Sequence, residues 1–125
     1  MSETTRYDIL IVGGGMVGLT LANLLKDSGL KIGVVEKFEP KAVSEEIDIR
    51  VSAINRASSD IFKALAAWPE MLTRAGIHHD MNVWDSRGAG MMHFDSAVVG
   101  MAALGDVIHN TVIQPALQHS AVHGD

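Results

Sequence analysis

Cysteine is absent from the 125-residue chain. Disulfides, Fe–S clusters and Cys-ligated zinc are thereby excluded, and a reducing compartment is weakly favoured. Cations are scarce as well: ten Lys and Arg stand against fifteen Asp and Glu, a formal net charge of −5. A nucleic-acid surface needs clustered Lys and Arg, so nucleic acid is not read as a partner. Long apolar runs are missing too. No stretch reaches the roughly 18 uninterrupted apolar residues of a spanning helix. The richest candidate, Ile9 to Leu25, is interrupted by glycines and preceded by Glu3 and Asp8 against Arg6. A secretory signal wants a basic leader, so this segment reads as mature cytoplasmic structure. What remains, 47% apolar and 20% charged residues, has enough apolar surface to offset chain entropy in one domain or a piece of one.

The pattern predicts an α/β fold. Tyr7 to Val12 is a β-branched apolar run, the look of a parallel strand buried on both faces. Gly13-Gly14-Gly15 follows, and the period then changes. Val17, Leu21, Leu24 and Leu25 form one helical stripe, ended by Lys26-Asp27-Ser28 with Gly29 as an αL stop. Lys31 to Glu36 reads as a second strand, which completes a βαβ unit. An acidic irregular stretch runs from Phe38 to Asp48, and Ile49 to Ile54 reads as a short extended piece. Asn55 is placed as the N-cap of a helix through about Ala67, with Ile61, Ala64 and Leu65 on its apolar side and Trp68-Pro69 breaking it. Met81–Asp85 and Met91–Phe94 flank a glycine-containing loop and predict a hairpin. A last helix is expected from near Asn110 to about Ala121, with Pro115 near its first turn.

Gly13-x-Gly15-x-x-Gly18 carries the chemistry. Alone the pattern is weak, but here it leaves a strand, opens a helix, and has Glu36 about 20 residues past Gly15. Gly13 permits the turn, Gly15 lets a pyrophosphate approach the backbone, and Gly18, with Ala22 a turn later, lets the helix lie close on the sheet. The helix N-terminus offers bare N–H groups and its dipole to a diphosphate. A carboxylate at Glu36 accepts hydrogen bonds from ribose hydroxyls and repels a 2′-phosphate, which disfavours NADP as the ligand of this fold. The motif does not separate FAD from NAD. Arg50, after the acidic loop, offers either a charge-assisted contact to the diphosphate or a surface ion pair with Glu45, Glu46 or Asp48.

Three segments together resemble the ubiquinone-biosynthesis hydroxylases, FAD-dependent aromatic monooxygenases similar in fold to para-hydroxybenzoate hydroxylase. They are Tyr7 to Leu19 with Val34-Val35-Glu36-Lys37, Arg50-Val51-Ser52-Ala53-Ile54-Asn55, and Leu104 to Leu117. The resemblance spans essentially the whole chain. It implies a Rossmann-like βαβ FAD-binding domain, incomplete and with an inserted β-hairpin, in which Gly13, Gly15, Met16, Val17 and Gly18 wrap the FAD diphosphate. Glu36 would hold the adenosine ribose with Lys37 beside it. Arg50 would reach the diphosphate and ribityl region, and Gln114 the ribityl chain; read from the residues alone, Gln114 is simply a polar residue early in a helix. The implied reaction uses NAD(P)H as reductant and O₂, through a flavin C4a-hydroperoxide, to hydroxylate a polyprenylated phenolic quinone precursor. No catalytic side chain is nominated, because the flavin would supply the hard chemistry. Peripheral contact with the inner membrane, a homo-oligomer and a biosynthetic complex are left open.

There are departures from the family pattern. Leu65-Ala66-Ala67-Trp68 stands where the family commonly has Leu-Gly-x-Trp, and the family's second flavin motif and substrate-covering sheet have no counterpart in 1–125. The closing Gly124-Asp125 comes too early to be that motif. Residues 1–125 are therefore expected to be the N-terminal part of an FAD-binding domain in a longer enzyme. Another FAD- or NAD-dependent oxidoreductase and a non-catalytic nucleotide-binding module are the alternatives. His119 and His123 have helical metal-ligand spacing but no evident third ligand. His78-His79-Asp80 reads as a polar connector, and Ser58 and Ser59 lack a nucleophile elbow. Trp68 and Trp84 read as packing residues, with Trp84 also a candidate to face the substrate.

Overall fold

Two β-branched runs on either side of a glycine turn build the N-terminal unit, and the computed structural model describes residues 4–39, 43, 46 and 49–122. In chain order the elements are β1 (Ile9–Val12), α1 (Met16–Leu25), β2 (Ile32–Val35), β3 (Val51–Ile54), α2 (Arg56–Ala64), α3 (Trp68–Leu72), β4 (Ala75–His78), β5 (Asp80–Trp84), β6 (Met91–Asp95), β7 (Gly105–His109) and α4 (Asn110–Val122). β1 and β2 pair in parallel, from Ile9 opposite Ile32 to Val12 opposite Val35. β3, β7 and β4 form a second, antiparallel sheet with β7 in the middle. β5 and β6 form the predicted hairpin. Most of the expected irregular stretch from Phe38 to Asp48 lies outside the described residues, as do His123, Gly124 and Asp125.

The core lies between α4, the α2–α3 pair and the three-stranded sheet. Met71, Ile108, Ile113 and Leu117 are fully buried there, with Val112 and Ala116 nearly so. α1 joins this core through Leu19 and Asn23. Asn23 donates from Nδ2 to its own helix at the Leu19 carbonyl and across to the Leu117 carbonyl of α4, both at 2.8 Å. One polar side chain therefore ties the βαβ unit to the core.

The helix stripe read from the sequence is corrected by this packing. Val17 is 79% exposed, and Leu21 and Leu24 are also exposed; Leu19 and Asn23 are the buried positions. α1 is apolar on nearly every side, so its periodicity does not select a face, and contact with α4 does. β1 departs from expectation for a related reason. Ile11 is buried, whereas Leu10 and Val12 on the opposite face are exposed, so one face of the β1–β2 pair is covered and the other is bare.

The long helix expected through Ala67 ends at Ala64 instead. Its N-terminus is as predicted, with Asn55 Oδ1 accepting from the Ser58 amide at 2.9 Å. Its C-terminus is closed by Ala66 N–H to the Lys63 carbonyl and Ala67 N–H to the Phe62 carbonyl, the two bonds of a Schellman motif. Ala66 carries the left-handed φ of +58° that this motif requires. Trp68-Pro69 does not break a helix but begins one, since Pro69 lies in the first turn of α3, where its missing N–H costs no bond. Pro115 lies in the helix interior, beyond the first turn of α4, where it withholds an N–H from the Thr111 carbonyl. β4 and β7 were not anticipated. Each is short and contains glycine, and a Cβ at Gly105 would collide with the Ile54 carbonyl. His78 and Asp80 accordingly lie in strands, and only His79 connects them.

Two stability measurements follow from these contacts. Ala66 is exposed, so Ala66→Gly removes αL strain without losing buried surface. It should raise unfolding free energy by about 0.5–1 kcal/mol in denaturant titration, the αL cost net of glycine's extra unfolded-state entropy. Asn23→Ala should cost about 1–3 kcal/mol. Asn23→Asp should cost more at neutral pH, because a carboxylate would face two carbonyl oxygens. That extra cost should shrink on acidification, when the protonated carboxyl regains a donor; a gap that does not change with pH would refute the account.

Candidate functional site

The turn between β1 and α1 is built by absent side chains. Gly13 takes φ +107° and donates its N–H to the Val35 carbonyl at 2.8 Å, which ties the turn to β2. A Cβ at Gly18 would run into the Gly13 carbonyl, so only glycine lets α1 start this close to β1. Gly15 is the N-cap of α1 with extended backbone and no side-chain cap. Nothing lies within 4 Å of where its Cβ would be. The turn therefore has room beside it for a ligand, and first-turn amides of α1 have no acceptor within their own helix.

Glu36 stands just past β2 and closes one side of this turn. Its Oε2 accepts from the Gly14 amide at 2.6 Å and its Oε1 from the Phe38 amide at 3.0 Å. These backbone donors, Phe38 first and Gly14 second, hold the carboxyl below its ordinary pKa. From the other side, Gln114 of α4 donates from Nε2 to the Gly14 carbonyl at 2.7 Å. An open cleft of about 770 Å³ lies between these groups. Gly15, Met16 and Glu36 line it from the βαβ unit, with Phe38 and Glu39 beside them. Ile49, Arg50, Asn110, Thr111 and Gln114 line it from the other side.

Five of the sequence-predicted residues thus meet around one cleft: Gly15, Met16, Glu36, Arg50 and Gln114. Gly13 and Gly18 shape the turn beneath it. Val17 is exposed on α1 and does not line the cleft, because the face it occupies is turned to solvent. Lys37 does not line it either; its Nζ sits 5.1 Å from the centroid of the Phe38 ring. Asn110 and Thr111 were not singled out from the sequence. Asn110 is held by the Ser52 hydroxyl, which donates to its Oδ1 at 2.6 Å, and by its own N–H to the Arg50 carbonyl at 3.0 Å. An Asn at a helix start reads as a cap, so its signal was masked by a commoner role.

Elsewhere the candidates take structural places. His119 contacts the Glu70 carboxylate at 3.1 Å, and among the described residues no group of three His, Asp or Glu is placed to hold a metal ion. Ser59 donates to the Arg56 carbonyl within its own helix. Trp68 stacks on Phe62 in the core, whereas Trp84 is exposed on the hairpin.

A parallel βαβ unit, an unfilled glycine cradle and a carboxylate at the end of the second strand define an α/β protein of the nucleotide-binding class. The particular family is that of the FAD binding domain: it matches residues 6–122, and the chain belongs to it. Among similar proteins, 3-demethoxyubiquinol 3-hydroxylase of Escherichia coli (strain K12) is 36% identical over 88% of this chain and 29% of its own length. The mitochondrial ubiquinone biosynthesis monooxygenase COQ6 of Dictyostelium discoideum is 28% identical over 89% of this chain and 26% of its own. The chain therefore spans less than a third of these relatives. The fold is shared with p-nitrophenol 4-monooxygenase PnpA from Pseudomonas putida DLL-E4, at a TM-score of 0.67 and 19% identity, over 98% of this chain and 30% of that one. The cofactor of the family is FAD. The open space at Gly15, the acceptor at Glu36 and a cleft of about 770 Å³ fit a dinucleotide.

The lowered pKa of Glu36 gives a signed expectation. A carboxylate whose folded-state value is lowered stabilises the fold above the ordinary carboxylate range, and that stabilisation is lost as pH falls through the lowered value. The unfolding midpoint of the wild type should exceed that of Glu36→Gln at neutral pH, and the difference should vanish in acid. A difference that is the same at every pH would show that the charge on Glu36 is irrelevant to the turn.

Proposed function

We propose that residues 1–125 form the N-terminal part of the FAD-binding domain of a monooxygenase that hydroxylates the aromatic ring of a ubiquinone precursor, with O₂ and NAD(P)H. The observation that carries this reading is the cleft itself, where Gly15, Glu36, Arg50 and Gln114 converge in a chain similar to ubiquinone hydroxylases. The backbone from Gly15 through Met16 and Val17 to Gly18 would receive the diphosphate. Glu36, already oriented by two amides, would accept from the adenosine ribose. Arg50 would add charge to the far side of the diphosphate, and Lys37 would lie near the ribose without lining the cleft.

When bound, the flavin supplies the redox and oxygen chemistry; the protein supplies position, charge and exclusion of water. No side chain of this chain is assigned an acid, base or nucleophile role. The substrate is read as a polyprenylated phenol. No described helix is long and apolar enough to cross a membrane. We infer a cytoplasmic location in which such a greasy substrate brings the protein into peripheral contact with the inner membrane.

The test is direct. The full-length protein carrying this chain should be yellow with a flavin spectrum, and should take up O₂ when NAD(P)H and a phenolic substrate are present. Binding of NAD without flavin would discard the reading. Gly15→Val should abolish flavin binding, because a branched Cβ fills the room that the diphosphate needs. Arg50→Ala should weaken flavin binding while leaving the unfolding midpoint nearly unchanged.

A further inference from the structure

Gly14 has both of its backbone polar groups held by side chains, yet it is itself the residue type least able to constrain a backbone. Its N–H is bound by the Glu36 carboxylate at 2.6 Å and its carbonyl by the Gln114 amide at 2.7 Å. Those two groups belong to successive peptide units, so each of two neighbouring planes is gripped by a different side chain. The grips come from separate parts of the fold: Glu36 follows β2, and Gln114 is on α4 between the fully buried Ile113 and a helical turn ending in the fully buried Leu117. A Cβ at Gly14 would lie 3.0 Å from the Cβ of Glu36, so glycine is also what allows the carboxylate to come this close.

We propose that Gln114 is a positioning residue for the glycine turn: by holding the Gly14 carbonyl opposite the Glu36 grip, it sets the direction of the Gly15 amide before any ligand arrives. The reason is geometric. In a trans peptide unit the carbonyl and the N–H point in opposite directions, so a fixed Gly14 carbonyl means a fixed Gly15 N–H. Three consecutive glycines would otherwise sample a wide range of φ and ψ. Ordering even one such residue costs about 1–2 kcal/mol of backbone entropy. A turn already held in place spares the ligand that cost, which is how preorganisation raises affinity. This inference rests on the cofactor reading above, and it differs from a direct contact between Gln114 and the ribityl chain. A ribityl contact serves FAD alone. A held turn serves every ligand that brings a diphosphate, including one with no ribityl or flavin part.

ADP separates the two. Titration calorimetry on the full-length protein should measure ADP and FAD binding to the wild type, to Gln114→Met, which keeps length but loses the donor, and to Gln114→Leu, which keeps the branch without a donor and adds no charge. Both variants should bind ADP roughly three- to tenfold more weakly, the loss expected for one neutral hydrogen bond, and FAD at least as much more weakly. Amide hydrogen exchange at Gly14 and Gly15 in the ligand-free protein should speed up in both, with the unfolding midpoint nearly unchanged. ADP affinity within twofold of wild type in both folded variants, with FAD alone weakened, would overturn the positioning role in favour of a ribityl contact. Unchanged exchange at Gly14 and Gly15 would overturn it as well. A wild type that binds neither ADP nor FAD would instead bring down the cofactor reading, and this inference with it.

Discussion

The packing of α1 against α4 is the contact on which the site depends. Asn23 reaches from α1 to the Leu117 carbonyl across 94 positions of sequence, and Leu19 joins the same buried cluster. Without that interface the glycine turn and Gln114 would not meet, because they lie 100 positions apart. The interface is paid for in an unusual currency, a buried amide whose Oδ1 has no partner. A buried amide satisfied on its donor side alone is costly, yet its direction is specific: its donor reaches the Leu117 carbonyl in the register that α1 takes on α4. The register then places the second turn of α4 over the start of α1.

From that interface the roles of the other elements follow. β2 delivers Glu36 to the flank of the turn, because the parallel register puts Val12 opposite Val35 and the chain then continues past both strand ends. The antiparallel sheet delivers Arg50 and Asn110 together: β3 and β7 pair with Val51 opposite His109, so the residues just outside the pair, Arg50 and Asn110, are neighbours by construction. Their backbone bond closes the end of the sheet at the cleft. The site is thus the place where two strand-to-helix passages, β1 to α1 and β7 to α4, meet the end of β2 and the start of β3; the carboxyl ends of strands are where α/β folds usually bind ligands.

How far the sequence could be read depended on whether a signal was local. The βαβ unit was legible because strand period, glycines and helix period follow one another within one short stretch. The Asn55 cap and the hairpin were legible for the same reason. β4 and β7 were not, since a four- or five-residue strand containing glycine has no periodicity to distinguish it from a loop. The end of α2 was misread because an alanine occupies the αL position of a Schellman motif, where glycine would have announced the stop. Trp68-Pro69 then reads as the breaker, although proline in a first helical turn is a start. Arg50 was legible only as one of two readings, a diphosphate contact or a surface ion pair, and Gln114 entered the site through a family resemblance, not through any feature of its own surroundings in the sequence.

The sequence by itself determined the chemistry on offer: glycines where a backbone must come close, a carboxylate at the ribose distance, no cysteine and no basic face. Each of these is a property of residue type and short-range spacing, which the chain carries before it folds. Only the tertiary structure decided which side of α1 is inside, and that Glu36 and Gln114, from separate elements, take hold of the same glycine. Those outcomes depend on contacts between residues far apart along the chain, and an apolar helix or a surface glutamine looks the same in sequence whichever partner it eventually meets.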